Sequence, residues 1–476
     1  MQGAMTNPRS RRDLLRTIGL AGVAATTAGL AACGPRTYLP GPEGSAPPGV
    51  TTSSTDAGLR AELEGLSWPT SPLPEPTSPV TLTIASTWVP SDLDRQKAFD
   101  DYFTERHPNI KLVREVTPFA DFLQKYLTQM AGGSLPDIMV CQFAWASQLI
   151  SKGVYLPLDD YLASSPDFQA ADIQDVAISY YKDAGKTYCV PFDCGPIVTF
   201  YNKDLFQQNN LALPTDSWTM DDMRAAALAI TKGSGASKTF GFSSGVAPSA
   251  YWSPLFLQPF GGRYLNQDET KCQLTDPASV AAAEWWTDLT VAKGTAPTAS
   301  EGASMKDGAF AMGRAGMAVM GSWNITSLKA YGTKFDWALA GMPKGPSART
   351  TPAVGSGFGI TKDCKNRDAA WIYLNEYLSA PGINFMWVKT GHGSPPRKSL
   401  WADYLKLPDA PEGATVLEEA MNSYATSDGV TIKPTTTRIG SLAAPIWDRV
   451  TTGALKPADA CAQIAAALDP VLAANA

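Results

Sequence analysis

From Val80 onward the chain switches repeatedly between two hydrophobic periods, and that alternation limits its fold more than any other feature. Val80-Thr81-Leu82-Thr83-Ile84 repeats every second residue, the period of a half-buried strand. Ser91 then caps a helical pattern carrying Leu93, Phe99 and Phe103, which Pro108 stops. Ile110 to Val116 predicts a second strand. Phe119, Phe122, Leu123, Tyr126, Leu127 and Met130 predict a second helix, closed by Gly132-Gly133. Asp137 to Cys141 predicts a third strand, with a short helix around Ala146 to Ile150. Such units predict an α/β fold with a mostly parallel sheet and helices on both faces. Ligands bind such sheets beyond the carboxyl ends of the strands, which here carry Thr87-Trp88 and Gln142-Phe143. The body of about 400 residues exceeds what one core supports, so two lobes are expected.

A second series of units follows a broken strand. In "CVPFDCGPIVTFYNKDLF", residues 189–206, Val190 to Phe192 favour extended backbone, Gly195-Pro196 interrupts it, and Ile197 to Tyr201 resume it. Asn202 and Asp204 then offer oxygens to a helix start. Cys189 and Cys194 bracket the bend. A disulfide between them would stiffen the bend, but two buried thiols or separate pairings are expected instead, because so short a loop restricts bridge geometry. Beyond it, Thr219 caps "MDDMRAAALAITKG", and Phe240 and Phe242 flank a weak strand. Pro277 starts "ASVAAAEWWTDLTVAKG", and Met317 to Met320 leads into Gly321-Ser322-Trp323. Phe358 to Thr361, the helix "DAAWIYLNEYLSAP" and the break "GHGSPPRKS" come next, and the tail is helical.

The amino-terminus has a different character. Ser10-Arg11-Arg12-Asp13-Leu14-Leu15 is a twin-arginine pattern followed by small apolar residues, and Leu30-Ala31-Ala32-Cys33-Gly34 resembles a bacterial lipobox. The resemblance implies a signal peptide over 1–33, cleavage before Cys33 and a lipid on that cysteine, holding the protein to the membrane. Residues 34–78, rich in Pro, Gly, Ser and Thr, read as a flexible tether with a short helical island at Ala57 to Leu66. No later segment is apolar enough to span a bilayer. A net charge of -6, spread without long runs, gives nucleic-acid binding no support. Two histidines and no zinc-type cysteine spacing argue against a metal site, and no cofactor is expected. Besides Cys33 there are six cysteines, at 141, 189, 194, 272, 364 and 461, whose pairing the sequence does not fix.

Several stretches, in order, carry a family resemblance: "VPFDCGPIVTFYNKDLF", "LALPTDSWTMDDM", "GAFAMGRAGMAVMGSWNI", "GSGFGIT", "AAWIYLNEYLSAPG" and "GSPPRKS". Together they resemble the extracellular solute-binding proteins of carbohydrate ABC importers, the large family that includes maltose-binding proteins. The cysteines at 189 and 194 and the Asp193–Pro196 bend depart from its pattern. The resemblance implies a two-lobed periplasmic-binding-protein-like fold joined by a multi-segment hinge. Its N-terminal lobe would take 79–192 and 350–395, and its C-terminal lobe 193–349 and 396–476. It further implies a monomeric, non-enzymatic receptor on the extracellular face of the cytoplasmic membrane, which closes on a sugar and passes it to permease subunits. The strand then breaks at 193–196 because it leaves one lobe and enters the other.

A sugar presents C–H faces to aromatic rings and hydroxyls to polar side chains. The expected ligand contacts are therefore Trp323, Trp88, Trp252 and Phe143, with Gln142, Asp193, Asn324 and Arg397 on the hydroxyls and close backbone approach at Gly262 and Gly355. Trp285-Trp286, within a helix, reads as packing. Aromatics around one carboxylate also suit a choline- or glycerol-phosphodiester-type solute. A hydrolase would rest on "GFSSG", with Ser243 as nucleophile and His392 as base, or on a pair of carboxylates; the poor strand before Ser243 speaks against the first.

Overall fold

The computed structural model describes residues 56–87, 93–243, 253–305, 308–427 and 436–474. The twin-arginine stretch, Cys33, Trp88, Ser91 and Trp252 lie outside these residues.

The alternating segment forms β1 (Val80–Ser86), β2 (Ile110–Val116) and β3 (Ile138–Gln142). β1 pairs in parallel with both of the others, and the helices Leu93–Arg106 and Phe119–Gly132 make the crossovers. A small hairpin, β4 (Lys182–Asp183) with β5 (Lys186–Thr187), precedes the long strand β6 (Val190–Asn202). β7 (Phe240–Phe242), β8 (Ala315–Gly321) and β9 (Trp337–Ala340) follow, then β10 (Thr351–Ile360) and the short β11 (Ala425–Thr426).

The main sheet runs β2-β1-β3-β10-β6-β8-β7, with β11 on β10 and β9 on β6. Parallel pairs occupy its flanks, β2-β1-β3 on one side and β7-β8 on the other. β6 and β10 join them as an antiparallel pair, and each belongs to two sets of neighbours. β6 pairs with β10 from Val190 to Pro196, then with β8 and β9 from Ile197 to Asn202. β10 pairs with β6 from Ala353 and with β3 from Ser356 to Ile360, with a register shift between Ser356 and Gly357. The broken strand of the sequence is therefore one continuous ribbon that changes partners at its bend.

One apolar cluster runs from Leu82, Ile84, Phe99 and Val140 through Val190, Phe192 and Val198 to Met317 and Leu328. Trp285 and Trp286 pack as the helical spacing predicts: Trp286 is buried against Phe256, and its indole N–H donates to the Phe256 carbonyl. A second cluster joins Leu257, Tyr264 and Leu274 to Ile439, Trp447, Ile464 and Leu468 of the two closing helices.

The tether expectation needs correction over its described part. Residues 56–78 are docked: the helix Asp56–Glu64 buries Leu59 and Leu63, and Trp68 meets Phe99 edge-on at 5.6 Å. Leu59 and Leu63, four apart, share one helical face and supply the apolar surface that the surrounding Pro- and Ser-rich sequence lacks.

Six described cysteines are buried free thiols. Cys194 lies on β6, whereas Cys189 immediately precedes it, and neither is joined to another thiol. Burial raises the thiol pKa of both well above the usual range.

Candidate functional site

Three segments meet where β6 changes partners. Asp193 Oδ1 accepts the Ser356 N–H at 2.6 Å, the Cys194 N–H donates to the Ser394 carbonyl at 3.0 Å, and Ser394 Oγ donates to Ser322 Oγ at 2.8 Å. Glycine is required at two points. A Cβ on Gly355 would lie 2.1 Å from the Asp193 carbonyl oxygen, and one on Gly195 would lie 2.2 Å from Ser322 Oγ. Gly355 is thus spent on bringing β6 and β10 together, and Tyr181 donates to its carbonyl at 3.2 Å. Burial pushes the Asp193 carboxyl up to about 6, against the pull of the Ser356 amide and nearby His392. A carboxylate at this junction, with one oxygen held by the backbone, can orient two hydroxyl donors.

The carboxyl ends of the flanking strands supply rings. The Thr117 N–H donates to the Ser86 carbonyl, so β2 ends beside β1, and the helix that follows starts directly with Phe119. Phe119 is 45% exposed, and its ring lies 4.9 Å from Trp145, which stacks on Phe122 at 5.3 Å and 7°. Gln142 caps the helix Phe143–Ser151 by accepting the Ala144 N–H at 2.9 Å, and Phe143 turns its ring to Tyr180 at 5.6 Å. On the other side Trp323 follows the end of β8, half-buried, its ring laid over the space where Gly321 has no side chain. Asn324 closes that turn by donating to the Gly321 carbonyl at 3.2 Å.

The structure therefore gathers Asp193, Gly355 and the 392–394 segment at the crossing, and sets Gln142, Phe143 and Trp323 at strand ends. It removes Arg397 from the cleft. That side chain is 0% exposed; it donates to the carbonyls of Leu378, Phe168 and Gln169 and pairs with Asp172 at 3.4 Å. Burial lowers its pKa to about 10. Pro395-Pro396 does aim it, but inward, at carbonyls left over by a helix end and a turn. Gly262 is also a packing residue, since a Cβ there would meet the backbone of Ser279 at 2.8 Å. Asn324 is buried and engaged in its own turn. Phe119 and Trp145 escaped the sequence reading, because helical spacing assigned Phe119 to a core stripe. Its position immediately after a strand end was the usable signal.

Ser243 follows the edge strand β7 directly, its N–H on the Met317 carbonyl, whereas His392 stands at the crossing, 5.5 Å from Trp387 in ring contact. Among the described residues no three His, Cys, Asp or Glu side chains are grouped to hold a metal ion.

Two parallel flanks, joined through the antiparallel crossing strands β6 and β10, give the architecture of a two-lobed binding protein. The model of the bacterial extracellular solute-binding protein family matches residues 90–383, and the chain belongs to that family. It is 26% identical over 275 residues to a binding protein of Brucella abortus (strain 2308), covering 57% of this chain and 66% of that one. It is 22% identical over 307 residues to the maltotriose-binding protein of Pyrococcus abyssi (strain GE5 / Orsay), covering 62% and 61%. The chain thus spans just under two thirds of the length of these relatives. Among solved structures, the ABC substrate-binding protein Lmo0181 from Listeria monocytogenes, in complex with cycloalternan, superposes with a TM-score of 0.72 at 22% identity, over 83% of this chain and 99% of that one. The cyclic alpha-maltosyl-1,6-maltose binding protein from Arthrobacter globiformis gives 0.70 at 22% identity, over 83% and 100%. At that identity the likeness concerns the fold.

Proposed function

We propose that this protein captures a carbohydrate, most naturally an oligosaccharide, between its two lobes and delivers it to the permease of an ABC importer. Cys33 would carry the lipid that holds it, as a monomer, at the extracellular face of the membrane. The lobes would divide at the partner change of β6 and β10, with 79–192 and 350–395 on one side and 193–349 and 396–476 on the other. Closure is favoured by the extra contacts that ligand makes in the closed state. No bond is made or broken in the solute. What supports this reading is that Phe119 and Trp145 follow the ends of β2 and β3, Trp323 follows the end of β8 on the other flank of the sheet, and Asp193 sits on the crossing strand β6. The relatives point the same way: one is a maltotriose-binding protein, one was solved in complex with cycloalternan, and one is a cyclic alpha-maltosyl-1,6-maltose binding protein.

A thermal-shift screen over sugars, polyols and glycerophosphodiesters tests the ligand class, because tight binding raises the melting temperature by mass action. An α-linked oligosaccharide is expected to give the largest rise. A hit with a choline or glycerol phosphodiester, and none with any carbohydrate, would replace the ligand assignment. With the sugar in hand, Trp323→Ala and Phe119→Ala should each weaken binding by roughly tenfold or more, from the lost aromatic contact. Trp285→Ala, a packing change, should leave the affinity of the folded protein unaltered. Equal affinities for the parent and both site variants would remove these rings from the cleft.

A further inference from the structure

The docked segment before β1 lies outside residues 90–383, the stretch that the family model matches. Its contacts are of two kinds. At the upper end, Glu62 pairs with Arg95 at 2.9 Å and with Lys389 at 3.2 Å, and Arg95 Nη1 donates to the Phe385 carbonyl at 2.6 Å. Phe385 belongs to the helical turn Asn384–Val388, whose Trp387 stacks on Phe192 of β6 at 4.6 Å. That turn runs straight into the 392–394 segment at the crossing. The lower end is held by Asn109, which donates to the Pro76 carbonyl at 2.7 Å, and by an unusual imidazole. His107 Nδ1 lies 2.5 Å from Glu75 Oε1, and its Nε2 lies 3.0 Å from Glu376 Oε1. Arg106 pairs with Glu376 as well. With both ring nitrogens on carboxylate oxygens, only the imidazolium donates to both at once.

We propose that residues 56–79 form a clasp, latched at His107 while that side chain is charged, and that its release loosens the Asn384–Val388 turn leading into the crossing. The groups facing the imidazole are Glu75 from the clasp, Glu376 from the helix Arg367–Tyr377 and Arg106 beside it, with the Phe103 ring stacked at 4.3 Å. Burial opposes the charged form, yet the two carboxylates outweigh it and hold the pKa above 6.5. The sign follows: the latch is complete below 6.5 and is lost as pH rises through the higher folded-state value. Once neutral, the ring donates to one carboxylate only.

Hydrogen exchange followed by mass spectrometry on the full chain, converted to protection factors between pH 6 and pH 8.5, tests this. Peptides covering 57–66 and 384–389 should lose protection together, several-fold, as pH rises. Peptides from β1 and β6 should hold steady and report that the body stays folded. His107→Gln should show the weakened protection already at pH 6, without further pH dependence, and Glu75→Gln should fall between. Protection of 57–66 that is independent of pH, or equal in the parent and His107→Gln, would overturn the latch. Loosening of 57–66 with 384–389 unchanged would overturn the link to the crossing.

Discussion

Replacing Arg397 by methionine is expected to lower the unfolding free energy by about 3–5 kcal/mol, the cost typical of removing one partner from a buried charged network. Methionine fills the aliphatic part of the space but strands the carbonyls of Leu378, Phe168 and Gln169, which have lost their donor. Asp172 suffers less, because the Ser399 N–H and Oγ still donate to it at 2.9 and 2.7 Å. Lysine should rescue little, since a single ammonium does not reproduce the guanidinium fork. Urea unfolding of both variants measures this. A methionine variant that unfolds like the parent but no longer binds solute would return Arg397 to the cleft.

Asp193→Asn should act in the opposite direction. Asparagine keeps an oxygen for the Ser356 N–H and sheds a charge that the folded protein holds at some expense. The carboxyl titrates near 6 in the fold against 3.8 in its ordinary setting. Its contribution to stability is therefore complete below about 3.8 and is lost as pH rises to about 6. A difference of roughly two pKa units corresponds to about 3 kcal/mol, so the variant should be the more stable protein by up to that amount at pH 7.5 and indistinguishable at pH 4. Solute affinity should fall in the same variant, because the carboxylate is the stronger acceptor for hydroxyls. Melting curves that separate the two proteins equally at both pH values would remove burial of this charge as the cause.

Much of this architecture is legible in the sequence, and the reason is local. The period-two runs at Val80 and Ile110 and the Gly-Pro interruption in the 189–206 stretch are short-range patterns that tertiary packing had only to accept. The position of Trp323 just past a strand end is readable for the same reason. What the sequence leaves open are directions. Pro395-Pro396 stiffens the approach to Arg397 without saying which way the side chain turns, and carbonyls more than two hundred residues upstream decide it. Leu59 and Leu63 announce a helical face but not its partner, which comes from the Leu93–Arg106 helix. Phe119 fits a core stripe and a strand-end position equally well by spacing, and only the geometry of β2 exposes it.

The state of the cysteines bears on how the protein matures. Each of the six described thiols is shielded from water, and burial lifts those of Cys272, Cys364 and Cys461 to about 12, where thiolate is scarce at physiological pH. No two of these thiols are joined among the described residues, so the fold is expected to form without an oxidase or isomerase. The protein should refold from denaturant as readily with a reductant present as without one.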